Sequence, residues 1–456
     1  MKQVYWFIWL LQALACAVFA QLPQDSTTLA APEARSSAAG SVILIESSSA
    51  ETANNVIHIA TDSATKAANA SATPTDSLQK PESNPYNIPD ELMPLWDSLS
   101  IKQKAAQMVM VYLSPAKFLI QNEFGAVLVM KSHLKDPESF KQKIKTANDS
   151  LRIPLLVATD QEGGRVNRLS GISEKWKTAP SAKEMRQMET DSIEAIAQSI
   201  GSELHELGIN LNLAPVLDPD HDYRKKRSFI EESHRSWGSN ENREEKVRAF
   251  VKGMQESGIA CVSKHFPGYD SWTNSDHQIA VSSTPKPQMS ENYRFFRNLA
   301  DVIPVTMMSS VRFVRVSNRP AVFEPKIIRM ARKMNPETVI LTDDLWGVSL
   351  RAWVSGTERV TSKNYPRKDF KKLIRTALLA GNDMFMITYP AKAVEMINYL
   401  DAMAKYNDTY RQRIEESAAR ILKLKFRIGL LNSSLPSAPA LPQNDSEQVS
   451  ESQPQP

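Results

Sequence analysis

Gly258-Ile259-Ala260-Cys261-Val262-Ser263-Lys264-His265-Phe266-Pro267-Gly268 is the stretch on which the fold turns. Its first half is apolar without alternation, the pattern of a strand buried on both faces. It then gives way to two basic side chains and a Pro/Gly turn. The loop beyond carries Asp270, Asp276 and His277. Titratable groups on the loop at a buried strand's carboxyl end are how an α/β-barrel active site looks in sequence. One such loop alone reads equally well as a basic strand end followed by polar chain, so the neighbouring segments decide.

Seven further apolar runs accompany it: Met108–Tyr112, Ala126–Met130, Pro154–Ala158, Asn210–Leu213, Val305–Met308, Thr338–Leu341 and Met384–Ile387. Between them lie stretches of helical period. Ser192–Leu207 places Ile193, Ile196, Ala197, Ile200 and Leu204 at helical spacing, and Asn240–Ser257 is amphipathic. Arg411–Phe426 closes the series, with Gly429 near its end. Eight strand candidates alternating with helices predict an α/β protein built as a single (β/α)8 TIM-type barrel.

The ends read differently. Residues 1–20 have the form of a signal peptide: Lys2, an apolar run from Val4 to Leu14, and small-residue punctuation at Val18-Phe19-Ala20. That run is short for an integral membrane span. Cys16 after Leu14-Ala15 offers a lipoprotein acceptor, but Gln12 and the apolar residues after it fit cleavage before Gln21 better. Residues 21–87 are a Ser/Thr/Ala/Pro-rich linker. Its composition cannot bury enough apolar surface to offset ordering entropy, apart from the short patches Val42–Ile45 and Val56–Ile59. Residues 88–432 form the barrel and 433–456 a disordered tail. The expected location is outside the cytoplasm, periplasmic or extracellular.

Composition narrows the function. The chain carries 55 Lys and Arg against 51 Asp and Glu, interspersed, so nothing calls for a nucleic-acid partner. Of two cysteines, one lies in the signal, so the exported chain has only Cys261 and no internal disulfide. No zinc spacing, phosphate-cradling glycine loop or short repeat is present, and no cofactor is expected. A metal set of His265, Asp276 and His277 lacks catalytic spacing.

Three more strand ends carry chemistry. After the third run come Thr159-Asp160-Gln161-Glu162-Gly163-Gly164-Arg165-Val166-Asn167-Arg168. The glycines permit close approach of backbone to a ligand, and Asp160 with Arg168 supplies the acceptor and donor that sugar hydroxyls need. A tight acidic turn with a structural ion pair would use the same residues. After the fourth run, Ala214-Pro215-Val216-Leu217-Asp218 leads to His234-Arg235-Ser236-Trp237-Gly238, where Arg235 can act as donor beside a Trp237 platform. After the seventh run comes Thr342-Asp343-Asp344-Leu345-Trp346-Gly347. A carboxylate there can attack an anomeric carbon and form an ester that water later opens. Adjacent aspartates in extended backbone point oppositely, so one faces the mouth and the other is expected to cap the following helix.

These segments, in this order, resemble glycoside hydrolase family three, in its β-N-acetylhexosaminidase branch. D-Q-E-G-G-R-V-N-R-L, A-P-V-L-D, R-S-W-G, K-H-F-P-G and T-D-D-L all stand at matching places, and the resemblance runs from about Leu99 to Leu431. It implies a barrel hydrolysing terminal N-acetylglucosamine from peptidoglycan fragments or chitin oligosaccharides, with retention, through a glycosyl-aspartate. By the same resemblance Asp343 matches the nucleophile and His277 the acid/base, with Asp276 as the carboxylate beside it. Asp160, Arg168, Arg235, Lys264 and His265 match the sugar-binding positions.

The chain departs from the family pattern at two places. Family members usually continue K-H-F-P-G with His-Gly and later read Asp-Ser-His. Here Tyr269-Asp270 follows Gly268, and Ser275-Asp276 precedes His277, so the carboxylate has moved next to the histidine. After the sixth run, Ser309-Ser310 replaces a frequent histidine. A sugar-binding pseudoenzyme of the same fold is therefore the alternative reading. A phosphorolytic enzyme is a further one, since a neutral histidine tolerates phosphate as acceptor. The basic run Arg224-Lys225-Lys226-Arg227 is expected to reach the site and favour anionic muropeptides.

Overall fold

The structure is a computed structural model and describes residues 84–220, 227–240, 242–357 and 360–431. The signal, most of the linker, the tail and Arg224 to Lys226 lie outside the described residues. Of residues 84–87, assigned above to the linker, Tyr86 packs on the barrel domain. The Tyr86 ring meets Trp96 edge-on at 5.5 Å, and its hydroxyl donates to Glu415 at 3.0 Å.

The described residues form ten strands: β1 (Val109–Tyr112), β2 (Ala126–Val129), β3 (Leu156–Thr159), β4 (Leu211–Asn212), β5 (Ala260–Phe266), β6 (Val281–Ser282), β7 (Val305–Met308), β8 (Arg312–Phe313), β9 (Val339–Leu341) and β10 (Phe385–Ile387). Eight make one parallel sheet in the order β10-β1-β2-β3-β4-β5-β7-β9. A parallel bridge between Leu341 and Met384 joins its two ends and closes the barrel. Each coincides with one of the apolar runs, because strands covered by core on one side and helices on the other leave no polar face to alternate. The exceptions are β6 and β8, a separate two-stranded parallel ribbon. Two residues per strand are too few to show a period in sequence.

Strand β5 corrects the reading of its end. It runs through Phe266 with all seven residues buried, so Lys264 and His265 belong to the strand and not to its exit. Its pairing with β7 shifts register between Ser263 and Phe266, and this irregularity carries the two basic residues into the barrel mouth.

The helices Thr190–Glu206 and Arg243–Glu256 pack closely because Gly253 has no side chain. A Cβ there would sit 2.2 Å from the Glu194 carbonyl oxygen. The closing helix spans Asp408–Arg427. It begins three residues before the expected Arg411, because the Asn407 side chain accepts the Thr409 N–H at 2.9 Å and serves as its N-cap.

At the barrel's amino end, Asp383 is fully buried ahead of β10. It receives Arg332, Arg413 at 2.9 Å and Arg420 at 3.2 Å, together with the Ile340 N–H at 2.9 Å. Burial works to raise this carboxyl, but the three guanidinium groups outweigh it and hold it at about 2. The cluster ties the helices Pro325–Met334 and Asp408–Arg427 to the barrel floor. Among the described residues no helix is long and apolar enough to cross a membrane.

Candidate active site

The carboxyl ends of the strands surround a cleft of about 400 Å³. Its apolar floor is Tyr112, Leu128, Met130, Met307 and Met386. Tyr112 and Leu128 are register partners on β1 and β2, so the floor is the top layer of the barrel core.

One wall is an ion cluster centred on Lys264, whose side chain is only 2% exposed. Its ammonium donates to Asp160 at 2.8 Å and pairs with Glu162 at 2.6 Å. Asp160 also accepts from Arg168 at 3.1 Å, and Glu162 takes Arg235 through Nε at 2.7 Å and Nη2 at 2.8 Å. Burial works against both carboxylates. For Asp160 the charges of Lys264 and Arg168 prevail and hold it well below the usual range. For Glu162 the charges of Arg235 and Lys264 bring it to about 2. Both therefore stay anionic and keep the cations aimed.

Beside this wall, His265 lies against Asp218. Nδ1 is 2.6 Å from Oδ2, and the His265 N–H donates to Oδ1 at 2.9 Å. Asp218 Oδ1 also accepts the Tyr269 N–H at 2.6 Å. A buried carboxylate thus fixes the start of the loop that leaves β5.

Across the cleft Asp343 follows β9. Ser310 donates its hydroxyl to Oδ2 at 2.7 Å, and the Asp344 N–H donates to Oδ1 at 2.8 Å. With one donor on each oxygen the carboxylate has a fixed plane, and it lines the cleft. Asp344 does not cap the next helix, whose N-cap is Gly347 without a side-chain bond. It accepts instead from the Trp346 N–H at 2.9 Å, the Thr388 N–H at 3.1 Å and the Thr388 hydroxyl at 2.6 Å, which ties the loop to the end of β10. Burial pushes it up to about 6 against those bonds, and the charge of Asp343 adds to the rise.

The cleft brings together Asp160, Arg235, Lys264, His265, Asp276 and Asp343. Arg168 stands behind Asp160 and is not part of the lining. His277 is exposed and also lies outside the lining. Two expectations are corrected by packing. Gly163 and Gly164 admit the chain at Pro180 and Ser181 and not a ligand: a Cβ on Gly163 would lie 1.9 Å from the Pro180 oxygen. Trp237 is buried against Phe250 at 5.7 Å and offers no platform; the aromatic side chains of the lining are Tyr112, Phe229, Tyr269 and Trp346, the last with Tyr389 stacked on it at 5.4 Å. Glu162, Asp218 and Ser310 are structural partners of the site that sequence reasoning did not single out. Each was present in the quoted strand-end segments, but only the fold shows what it touches.

The sequence pattern of the family described as "Glycosyl hydrolase family 3 N terminal domain" matches residues 100–424. A β-hexosaminidase of Pseudomonas aeruginosa is 27% identical over 284 residues, 60% of this chain and 78% of that protein. The β-hexosaminidase LpqI of Mycobacterium tuberculosis is 30% identical over 162 residues, 34% of this chain and 39% of that one. Among solved structures, the β-N-acetylhexosaminidase of Beutenbergia cavernae superposes with a TM-score of 0.61 at 25% identity, covering 72% of this chain and 99% of the other. A family 3 β-N-acetylglucosaminidase from a Paenibacillus species gives 0.62 at 25%, covering 77% and 66%.

Proposed function

The chain belongs to glycosyl hydrolase family 3 and is a glycoside hydrolase; from that membership and the cleft around Asp343 we propose an exo-acting, retaining β-N-acetylglucosaminidase. The observation that carries the reading is the opposition of two walls. One holds a carboxylate oriented by Ser310 and the Asp344 N–H. The other presents Asp160, Lys264 and Arg235 as a fixed array of acceptors and donors for sugar hydroxyls. Between them the barrel core closes the floor.

The reaction follows from that placement. An Asp343 oxygen bonds to the anomeric carbon as the bond from that carbon to the leaving oxygen breaks, and the departing oxygen takes a proton from an acid in the cleft. Water then gives its proton back to that group and adds at the anomeric carbon, which breaks the ester and frees Asp343. Two inversions give net retention. The sugar is N-acetylglucosamine, by analogy with the names of the relatives; its source in our reading is a peptidoglycan fragment or chitin oligosaccharide, and the signal-like composition of residues 1–20 supports action outside the cytoplasm.

Hydrolysis of nitrophenyl β-N-acetylglucosaminide followed by proton NMR tests this. The β anomer of N-acetylglucosamine forms first, and Asp343→Asn abolishes the reaction. Sugar binding without turnover of this substrate, muropeptides or chitobiose would instead favour the sugar-binding reading. Release of muropeptide ends faster than chitobiose ends selects the wall fragment, and the reverse selects chitin.

A further inference from the structure

We infer that the outer face formed by three neighbouring helices, Lys286–Asn298, Pro325–Met334 and Arg367–Ala380, docks on a membrane surface rich in anionic lipid headgroups. This face is separate from the cleft, and its role is independent of the sugar that the cleft takes.

The near balance of 55 basic against 51 acidic residues hides a segregation. From Lys286 to Arg375, eighteen basic residues stand against eight acidic ones. The helices of this segment bury their apolar sides: Phe295 and Phe296 on the first, Ile327, Ile328 and Ala331 on the second, Phe370, Leu373 and Ile374 on the third. Their other sides are left to water, and cations recur there at helical spacing. The first helix presents Arg294 and Arg297, the second Lys326, Arg329 and Lys333, and the third Lys368, Lys372 and Arg375, all of them exposed. The first helix packs beside the second and the second beside the third, so the stripes join into one basic field.

That charge is not neutralised locally. Among the described residues none of these eight cations forms an ion pair. The described acids of the segment are engaged elsewhere. Glu291 pairs with Arg243, Asp301 with Arg248 and Glu337 with Lys423, each a cation from outside the segment. Glu324 caps its own helix, Asp369 accepts from Ser355, and Asp343 and Asp344 line the cleft. On the far side of the ring the sign reverses. In the closed barrel β3 and β4 lie opposite β9 and β10. The helix between β3 and β4, Thr190–Glu206, carries Asp191, Glu194, Glu203 and Glu206 and no lysine or arginine. The molecule therefore has an electrical front and back, which turns the basic face towards an anionic plane and holds the acidic face away.

A surface, rather than a strand, is what this face fits. The cations are spread over the outside of three helices of the outer ring, and none of them lines the cleft. Two exposed apolar side chains stand among them. Leu379 is 49% exposed and continues the stripe of Lys368, Lys372 and Arg375, and Val314 is 41% exposed beside Arg315 in the chain leading to the second helix. A soluble polyanion makes no use of apolar side chains. A bilayer interface takes both kinds, cations at the headgroups and apolar groups just beneath them. The contact is peripheral, and because the cleft opens at the end of the barrel while this face is its side, a docked molecule keeps the cleft open.

Sedimentation of the full chain with vesicles tests this, with phosphatidylcholine alone or mixed with phosphatidylglycerol, at low and at high salt. We expect binding to the anionic vesicles only, and its loss at high salt. Lys326→Gln, Arg329→Gln and Lys333→Gln together should weaken it by roughly 10²-fold, since each basic side chain near such a surface contributes about fivefold. Lys141→Gln, Lys143→Gln and Lys145→Gln together, on the helix Pro137–Ser150 elsewhere in the ring, should change it little. Both variants should melt like wild type, because the substituted side chains lie outside the core. An apolar leader retained on the chain would bind both vesicle types and ignore salt, which tells its contribution apart. Equal binding to neutral and anionic vesicles, binding that survives high salt, or equal loss in the two variants overturns the inference. So does the absence of vesicle binding, and binding of soluble polyphosphate in that case would assign the face to a polyanion in solution.

Discussion

Two buried ion clusters sit at opposite ends of this barrel, built from the same residue types. At the amino end, Asp383 is enclosed by Arg332, Arg413 and Arg420, and all of that charge is spent on joining helices to the barrel. At the carboxyl end, Asp160 and Glu162 hold Lys264 and Arg235, and Asp160, Lys264 and Arg235 also line a cleft facing Asp343. Both carboxylates named first in each cluster are held anionic by cations that overcome their burial. Burial and pairing alone therefore do not mark a functional cluster. The distinction is whether a cavity lies on one side of it.

The comparison is open to attack by substitution. The largest expected effect is at Asp343: Asp343→Asn lowers kcat by roughly 10⁴-fold or more while thermal unfolding is unchanged. A large fall in melting temperature would show that Asp343 belongs with the structural charges. The next is its opposite. Asp383→Asn should cost about 3–5 kcal/mol of stability in denaturant melts, because it leaves arginines buried without their anion, while kcat per folded molecule is retained. The pH dependence sharpens this. The folded value of Asp383 lies at about 2, below the ordinary carboxylate range. Its contribution is thus present above that range and is lost as pH falls towards 2. Wild type should lose stability over that window more steeply than Asp383→Asn.

Glu162 lies between the two cases, since it touches no cleft surface yet aims Arg235 and Lys264. Glu162→Gln should raise KM about tenfold, the scale of one hydrogen bond to a charged group, with a smaller loss of stability than Asp383→Asn. An unchanged KM would move Glu162 to the structural side. The smallest effect is at Ser310, which holds one oxygen of Asp343. Ser310→Ala should lower kcat several-fold to about tenfold at unchanged KM, and Ser310→Thr should restore part of it.

The barrel was readable in the sequence because its strands are apolar throughout, and that pattern survives without any knowledge of partners. Each of the eight runs stands where a barrel strand does, and the ribbon of Val281–Ser282 and Arg312–Phe313 was too short to leave a period. The site was readable in part. Asp160, Arg235, Lys264, His265, Asp276 and Asp343 were chosen as chemical groups at strand ends, and the closed barrel gathers strand ends at one mouth. The orientation of neighbouring side chains was not readable. Trp237 turns into the core and Asp344 turns to Thr388. The path of the loop that carries Asp276 and His277 depends on hydrogen bonds to Tyr269 and Asn274 that no local pattern fixes. Glu162 and Asp218 were hidden for a related reason: their partners Arg235 and His265 are 73 and 47 residues away in the chain.

The most direct test of the account is to trap the intermediate with a fluorinated N-acetylglucosaminyl fluoride and locate the added sugar by peptide mass spectrometry. The account predicts one sugar per chain, on the peptide containing Asp343, and none on Asp343→Asn. A sugar attached at Asp276 or Asp344, or steady turnover with no labelled peptide, would contradict it.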